Sequence, residues 1–201
     1  MCGVLIKEEN LPKLKSIGVK DSKLLTKQKR EELFNQIISL VERYSIEQLS
    51  PEKIDYALND PNSNLNWVEA DTSAIIINIL KPNKAIVDCP SVNISSYRNY
   101  LVSKLSCSGD MELILEHKAD LNHVVVGAAS ILAKVTRDRE IEKLKNKFKV
   151  DFGSGYLSDE KTQEFLKNNY QNKLYHSLFR KTWLPFQKLI NNKSQKQLGE
   201  F

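Results

Sequence analysis

Short apolar runs alternate along the chain with longer segments in which apolar residues recur every three or four positions. The short runs predict strands at residues 1–6, 44–49, 84–88 and 111–115. The recurring positions predict helices at residues 26–41, 66–80, 91–105 and 124–147. Strands that alternate with helices are typical of an α/β fold, and we expect the later strands to be parallel.

Polar residues mark where several helices should begin. Thr26 and Ser50 are good N-cap residues, Pro51 suits a first helical position, and Ser158 is the expected N-cap of a late helix. The first helix carries an apolar stripe of Leu33, Phe34, Ile37, Ile38 and Val41. In the helix at 66–80 we expect inward-facing side chains at Ile75, Ile76, Ile79 and Leu80. The polar segment from residue 191 is expected to fray.

Composition indicates the class of protein but says little about its function. The 201 residues carry 41% apolar and 27% charged residues, which is ordinary for a globular domain. The net charge of +5 suits an anionic partner but is weak support for nucleic acid. No apolar run is long enough to span a membrane, and no signal peptide pattern is present. Three widely separated cysteines, Cys2, Cys89 and Cys107, predict free thiols in a reducing cytoplasm.

Two carboxylates follow the apolar strands at 84–88 and 111–115. Asp88 ends the first, and Asp120 comes shortly after the second. Because the carboxyl ends of neighbouring parallel strands form the site of an open α/β sheet, both acids should face one pocket. Carboxylate oxygens suit magnesium or manganese, and cations nearby at Lys118, Lys134 and Arg137 suit a phosphate. The alternative is two solvated loop carboxylates.

Other candidate residues each have a structural alternative. Tyr156, in a loop with two glycines, could contact a ribose hydroxyl or simply pack. Ser130 could meet a phosphate or bond back to its own helix. Arg180 stands near Trp183 in a weak nucleic-acid pattern that an amphipathic helix explains equally well. Lys23 could bind phosphate or belong to a turn.

Several segments together resemble ribonuclease HII, and most of all its archaeal branch. The segments are VKDSKLLT at 19–26, LN at 65–66, IVD at 86–88, HKAD at 117–120, AASILAKVTRD at 128–138, GSGY at 153–156 with SD at 158–159, and RKTW at 180–183. Each is weak alone. Their order along nearly the whole chain is specific.

The resemblance implies a ribonuclease H-like α/β fold, a mixed sheet flanked by helices, with a core at 1–157 and a small helical segment at 158–201. It implies an endonuclease that cleaves the RNA strand of RNA–DNA hybrids, and at ribonucleotides embedded in DNA. Two magnesium or manganese ions would activate water, leaving 3′-hydroxyl and 5′-phosphate ends. The protein would be a cytoplasmic monomer that does not bind membranes.

The same resemblance assigns roles to single residues. Asp88 and Asp120 match two of the four family carboxylates, which are both metal ligands and catalytic. Tyr156 matches the tyrosine that senses the 2′-hydroxyl at an RNA–DNA junction. The positions that match residues near the substrate are Lys23, Lys118, Ser130 and Arg180.

The sequence departs from the family at its start. Relatives begin with a strand that carries an adjacent aspartate and glutamate and a glycine–arginine–glycine turn, and no such segment is present here. We therefore expect the first strand to be missing and cleavage to be impaired, as in a truncated gene product or, alternatively, a naturally inactive relative. A non-catalytic module that binds hybrids is the alternative function. An unrelated phosphate-handling α/β enzyme is disfavoured because no P-loop or dinucleotide fingerprint occurs.

Overall fold

The computed structural model describes residues 1–19, 25–106, 109 and 111–198, with side chains through residue 191. The strands are β1 (Cys2–Leu5), β2 (Arg43–Ile46), β3 (Lys84–Asp88) and β4 (Glu112–Glu116). The helices are α1 (Leu11–Ser16), α2 (Lys27–Leu40), α3 (Pro51–Leu58), α4 (Leu65–Leu80), α5 (Ile94–Ser103), α6 (Ala119–Asn122), α7 (Val124–Phe148), α8 (Glu160–Asn169) and α9 (Leu184–Leu198). Short 3₁₀ helices occur at Glu8–Asn10 and Lys173–Leu178.

The chain divides into two compact units. The first comprises Met1–Gln48 and Asn66–Arg137, and the second comprises Leu49–Leu65 and Asp138–Phe201. The division at residue 157 that we expected from the resemblance stays a prediction. No helix in the described part of the chain is long and apolar enough to cross a membrane.

Four strands of the first unit form two separate pairs within the described residues. β1 pairs with β2 in antiparallel register, with Gly3 opposite Ser45. β3 pairs with β4 in parallel register, with Asp88 opposite Glu116. The prediction that the later strands are parallel is therefore confirmed. The expected absence of a first strand stays a prediction.

Each strand pair has its own cluster of buried side chains. Around β1, α2 contributes Leu33, Phe34 and Ile37, and α7 contributes Ile131 and Leu132. The apolar stripe of α2 is confirmed, because its other two predicted members, Ile38 and Val41, pack at the margin of this cluster. Thr26 caps this helix, its side chain accepting a hydrogen bond from the backbone N–H of Lys29 at 3.2 Å.

The second cluster lies around β3 and β4. It contains Ala74 and Ile77 of α4, Tyr97 and Leu101 of α5, and Leu113 of β4. The cluster residues of β3 and β4 share one face of the strand pair, and Ile86 and Ile114 on the opposite face line a cavity.

Two of the four side chains that we expected to face inward on α4 do not. Ile76 and Leu80 are buried, whereas Ile75 and Ile79 are each 48% exposed. Ile75 and Ile79 are four residues apart and therefore share one helical face, which points away from the core. The prediction was wrong for this pair because the apolar run covers more than one face of the helix.

β1 lies unusually close to α4 at Gly3. A methyl group at position 3 would overlap Cγ2 of Ile76, and Cδ1 of Leu80 would be 3.1 Å away. Alternate residues of a strand face opposite sides. Gly3 therefore faces α4, while Cys2 and Val4 pack against the cluster formed by α2 and α7.

The second unit packs around aromatic side chains. Phe179 and Phe186 are buried with Leu166, and Phe165, Tyr175 and Trp183 pack against them. The expected cap at Ser158 was wrong. Asp159 is the N-cap of α8, and its Oδ1 accepts from the backbone N–H of Lys161 at 3.0 Å. The polar segment expected to fray from residue 191 is helical as far as Leu198.

Candidate active site

Asp88 lies at the carboxyl end of β3, where its side chain contacts the element that follows β4. Its Oδ1 accepts a hydrogen bond from the backbone N–H of Ala119 at 3.2 Å. Ala119 begins α6, and Asp120 is the next residue. The bond therefore holds the first turn of α6 beside the end of β3. Open α/β sheets place their ligands at this edge.

The turn from β4 into α6 is made by Lys118 in the left-handed conformation, with φ 58° and ψ 37°. A residue with a Cβ atom rarely adopts this conformation, which costs about 1–2 kcal/mol. Its side chain is exposed. Lys81 and Lys149 share this backbone geometry, so the strain by itself does not single out Lys118 as functional.

Asp88, Asp120 and Ser130 line one cavity of about 860 Å³ in the first unit. Ser130 lies on α7, next to the small buried residues Ala128 and Ala129. Strand polarity predicted that the two acids would face a single pocket, and the structure places them in one. Lys118, by contrast, does not belong to the described lining of this cavity.

The lining of this cavity also contains three glutamates that sequence reasoning missed, Glu69, Glu8 and Glu42. Burial raises the pKa of Glu69, and the negative charge of Asp88 raises it further. The N-terminal amine opposes this shift. The local pattern gave no signal for Glu69, because it lies in the polar first half of α4 with Asp71, Thr72 and Ser73.

The cavity suits a hard cation only in part. Carboxylate oxygens are ligands that Mg²⁺ and Mn²⁺ accept, with water completing the coordination. Asp88 and Asp120 fit that role. Within the described residues, however, no group of three or more His, Cys, Asp or Glu side chains is arranged to hold a metal ion.

The polar residues around Glu116 are engaged in local bonds. His123 Nε2 lies 2.9 Å from Oε1 of Glu116, and the side-chain amide of Asn122 donates to the same oxygen at 3.0 Å. His117 Nδ1 lies 2.9 Å from the carbonyl oxygen of Cys89. Cys89 is buried, and burial raises the pKa of its thiol, so a structural role fits it better than a nucleophilic one.

In the second unit, Tyr156 follows a loop that side chains of α8 and its N-cap hold by hydrogen bonds. Gly153 and Gly155 adopt positive φ of 76° and 75°. The backbone N–H of Ser154 donates to Asp159 at 2.6 Å, and that of Gly155 donates to Thr162 Oγ1 at 3.0 Å. Tyr156 itself is 42% exposed. The alternative that Tyr156 is a packed core residue is therefore not favoured.

Arg180 begins a segment that Asp55 holds in place. The carboxylate of Asp55 accepts from the backbone N–H of Lys181 at 2.6 Å, and from the N–H and the hydroxyl of Thr182 at 3.0 and 2.6 Å. The Arg180 guanidinium lies over the Trp183 ring, 5.8 Å from its centroid. Trp183 packs at the margin of the aromatic cluster. The segment therefore packs against the rest of the second unit in addition to carrying positive charge.

The remaining predicted residue, Lys23, lies outside the described residues. Lys134 and Arg137 lie on α7 and are half-buried.

Comparison with known proteins identifies the family. The family model described as Ribonuclease HII matches residues 1–185. A ribonuclease HII from Pyrococcus furiosus is 39% identical over an alignment that covers 98% of this chain and 88% of that protein. The chain belongs to the ribonuclease HII family. One from Methanococcus maripaludis is 41% identical, with 100% of this chain and 84% of that protein covered. Ribonuclease HII is a ribonuclease H-type endoribonuclease, so this chain is an enzyme of that type.

Solved structures of ribonuclease HII share the fold. The ribonuclease H2 of Pyrococcus horikoshii superposes with a TM-score of 0.80 at 39% identity, covering 93% of this chain and 87% of that one. The ribonuclease HII of Archaeoglobus fulgidus, solved in complex with PCNA, gives 0.80 at 38% identity over 90% and 84% of the two chains. The predicted ribonuclease H-like α/β fold is therefore confirmed.

Within this ribonuclease HII chain, the residues that position the candidate side chains were the hardest to predict. Asp55 and Asp159 hold the segments that carry Arg180 and Tyr156. Asp159 was matched to a family motif, but its loop bonds were not foreseen. No local pattern could have revealed Asp55, because its partners lie 126 and 127 residues further along the chain.

Proposed function

We propose that this chain hydrolyses the RNA strand of RNA–DNA hybrids, and cleaves at ribonucleotides embedded in DNA, using Mg²⁺ or Mn²⁺. The observation that carries the proposal is the placement of Asp88 and Asp120 in one cavity, with Oδ1 of Asp88 bonded to the residue beside Asp120. Membership of the ribonuclease HII family supports the substrate class. The products would be a 3′-hydroxyl and a 5′-phosphate.

Asp88 and Asp120 would hold the metal, with water filling the other coordination positions. Bound divalent ions would lower the pKa of a coordinated water and stabilise charge on the attacking and leaving oxygens. Ser130 lines the same cavity, and its hydroxyl could donate a hydrogen bond to a phosphate oxygen. The exposed ammonium group of Lys118 would attract the phosphate backbone.

Tyr156 and Arg180 would contact the hybrid from the second unit. A tyrosine hydroxyl can hydrogen-bond the 2′-hydroxyl, which distinguishes RNA from DNA. The loop that carries Tyr156 is fixed by Asp159 and Thr162, so its ring would be presented with little loss of conformational entropy. Arg180 would bind backbone phosphate. Lys23 is proposed to bind backbone phosphate as well, from its motif alone.

We further propose that this chain binds two metal ions weakly and cleaves poorly. Two divalent ions bring a charge of about +4, of which Asp88 and Asp120 neutralise half. At a separation of about 4 Å and an effective dielectric of about 20, the ions repel by roughly 16 kcal/mol. Bound phosphate offsets only part of that repulsion. Glu69 borders the same cavity, where burial and the charge of Asp88 raise its pKa.

The test is cleavage of a labelled duplex with one RNA–DNA junction, in Mg²⁺ and separately in Mn²⁺. We expect a slow metal-dependent cut that Asp88→Asn and Asp120→Asn each abolish. Glu112→Gln is the matched control, because Glu112 begins β4 at the opposite end of the same strand pair and pairs with Lys84 at 3.2 Å. Cleavage that persists in Asp88→Asn would contradict the metal-ligand assignment.

A non-catalytic module that binds hybrids is the second candidate function. The net charge of +5 suits a nucleic-acid partner under both functions, so hybrid binding alone does not separate them. The non-catalytic module predicts salt-sensitive hybrid binding that Asp88→Asn leaves unchanged, with no cleavage in either metal.

The chain is expected to act as a monomer, which sedimentation analysis would check.

A further inference from the structure

The paired strands β3 and β4 lead into two segments that lie beside Asp88 and Asp120. We call residues 89–93, which follow β3, the β3 loop, and residues 117–118, which follow β4, the α6 turn. The strand ladder reaches Cys89, whose N–H donates to the carbonyl oxygen of Glu116 at 2.9 Å. Pro90 has no N–H with which to extend it. Beyond this point, the spacing of the two segments depends on side chains.

Two hydrogen bonds that involve side chains connect the two strand ends. Oδ1 of Asp88 accepts from the backbone N–H of Ala119 at 3.2 Å. One residue after Asp88, the carbonyl oxygen of Cys89 lies 2.9 Å from Nδ1 of His117. Because a carbonyl oxygen can only accept, Nδ1 carries the proton of this bond. Each strand end therefore supplies one side chain and one backbone group to the connection.

The α6 turn needs this connection because its backbone is strained. Lys118 adopts the left-handed conformation, with φ 58°, which residues with a Cβ atom rarely adopt. Such conformations persist only where surrounding contacts determine them. The helix that follows has four residues, Ala119–Asn122, so the turn decides its direction. Asp120 is the second residue of that helix, and its position therefore depends on the turn.

The carbonyl oxygen of Cys89 is a fixed point to which the α6 turn can attach. Cys89 is 4% exposed, and its thiol donates to the carbonyl oxygen of Ser91 at 3.6 Å. Oγ of Ser91 accepts from the N–H of Asn93 at 3.2 Å. Asn93 in turn caps α5 by accepting from the N–H of Ser96 at 2.9 Å. The β3 loop is thus held by its own bonds, and His117 ties the α6 turn to it.

We propose that His117 is a positioning residue, which sets the separation of Asp88 and Asp120 by tying the α6 turn to the β3 loop. The inference rests on the proposed function, in which these two aspartates hold the metal. His117 acts through the backbone of Cys89 and not by contacting a metal ion. Removing a group that orients metal ligands typically lowers metal affinity by about 10–100-fold.

The first measurement is made by NMR on the metal-free protein. The N–H of Ala119 donates to Asp88, so its hydrogen exchange reports whether the two strand ends stay together. In His117→Ala we expect this amide to exchange about tenfold faster or more. The Glu112 amide, which donates to Asn83 at the other end of the strand pair, is the internal reference. Asp88→Ala removes the acceptor and gives the upper limit of the effect.

Two conservative variants separate positioning from the mere presence of a side chain. The amide nitrogen of asparagine is the same number of bonds from Cα as Nδ1 of histidine, so His117→Asn should keep Ala119 exchange near the wild-type rate. The amide nitrogen of glutamine corresponds to Nε2, so His117→Gln should resemble His117→Ala. His176→Ala, in the 3₁₀ helix of the second unit, is the matched control for loss of an imidazole.

The second measurement is Mn²⁺ affinity, from the electron paramagnetic resonance signal of unbound Mn²⁺ at millimolar protein. His117→Ala and His117→Gln should each weaken binding by about tenfold or more. His117→Asn and His176→Ala should bind like the wild type. All variants should retain the wild-type circular dichroism spectrum.

Three outcomes would overturn the proposal: unchanged Ala119 exchange in His117→Ala, rescue by glutamine as complete as rescue by asparagine, or faster exchange with unchanged Mn²⁺ affinity. A wild type that binds no Mn²⁺ would instead contradict the proposed function. The exchange of Ala119 would still decide whether His117 ties the two segments, so the two failures are distinguishable.

Discussion

The carboxylates of the two units are used in different ways. In the second unit, Asp55 accepts three hydrogen bonds and Asp159 accepts bonds from Ser154 and Lys161. In the cavity of the first unit, Asp88 accepts one bond, and within the described residues none reaches the Asp120 side chain. An acid saturated by backbone donors builds structure, whereas an acid with free lone pairs is available to a cation. The number of hydrogen bonds distinguishes Asp55 and Asp159 from the two aspartates that we propose as metal ligands.

The largest expected effect on stability is at Asp55. Asp55→Ala leaves two backbone N–H groups and a hydroxyl without their acceptor, so we expect the free energy of unfolding to fall by about 2–4 kcal/mol. Urea denaturation, monitored by circular dichroism, measures this free energy of unfolding. Asp55→Asn keeps one acceptor oxygen and should lose less. A loss below about 0.5 kcal/mol for Asp55→Ala, within the range of ordinary surface substitutions, would contradict the structural role.

Acid should reduce the stability of the second unit through the same residue. Burial opposes ionisation of Asp55, but the bonds from Thr182 and Lys181 outweigh it and hold its pKa below the usual value. A lowered folded pKa means that the stabilisation is complete above the unfolded pKa of about 3.9 and is lost as pH falls through the folded pKa. We expect unfolding free energies measured below about pH 4 to fall less steeply in Asp55→Asn than in the wild type.

A smaller effect is expected at Asp159, whose pKa is held low chiefly by the backbone N–H of Ser154. Asp159→Ala removes the cap of α8 and an anchor of the Tyr156 loop, so the melting temperature should fall by about 2–4 °C. Ser158→Ala is the matched control and should have no effect, because Ser158 does not cap this helix. Equal losses for the two variants would contradict the assigned cap.

The smallest effect is expected in the cavity. Without metal, Asp88→Asn and Asp120→Asn should each change the free energy of unfolding by less than about 0.5 kcal/mol. Millimolar Mn²⁺ should raise the melting temperature of the wild type, because a ligand that binds only the folded state stabilises it. Differential scanning fluorimetry should detect no such rise in either variant. A marked loss of stability in metal-free Asp88→Asn would show that Asp88 has a structural role, like the acids of the second unit, and would contradict the contrast between the two units.

The sequence predicted the features that depend on local pattern. The apolar run and terminal carboxylate of β3 located Asp88, and the threonine before a periodic segment located the start of α2. Where local signals competed, prediction failed. Ser158 and Asp159 are both good caps, and only the loop bonds of Asp159 decide between them.

Features that depend on residues distant in the chain could not be predicted from the sequence. The nearly continuous apolar run of α4 left its inward face undetermined, and contacts with β1 and the second cluster select Ile76 and Ile77 over Ile75 and Ile79. Glu69 became a candidate only when its cavity was seen. Tertiary packing overrides local preference in such cases.

Gly3 has a consequence for how this protein can vary. Because a side chain at position 3 would overlap Ile76, any larger residue there must displace β1 from α4 or require a smaller residue on the helix. The two positions should therefore change together across relatives, and a lone Gly3→Val replacement should shift the wall of the cavity without touching an acid. Catalytic competence would then depend on a pair of residues that carry no functional group at all.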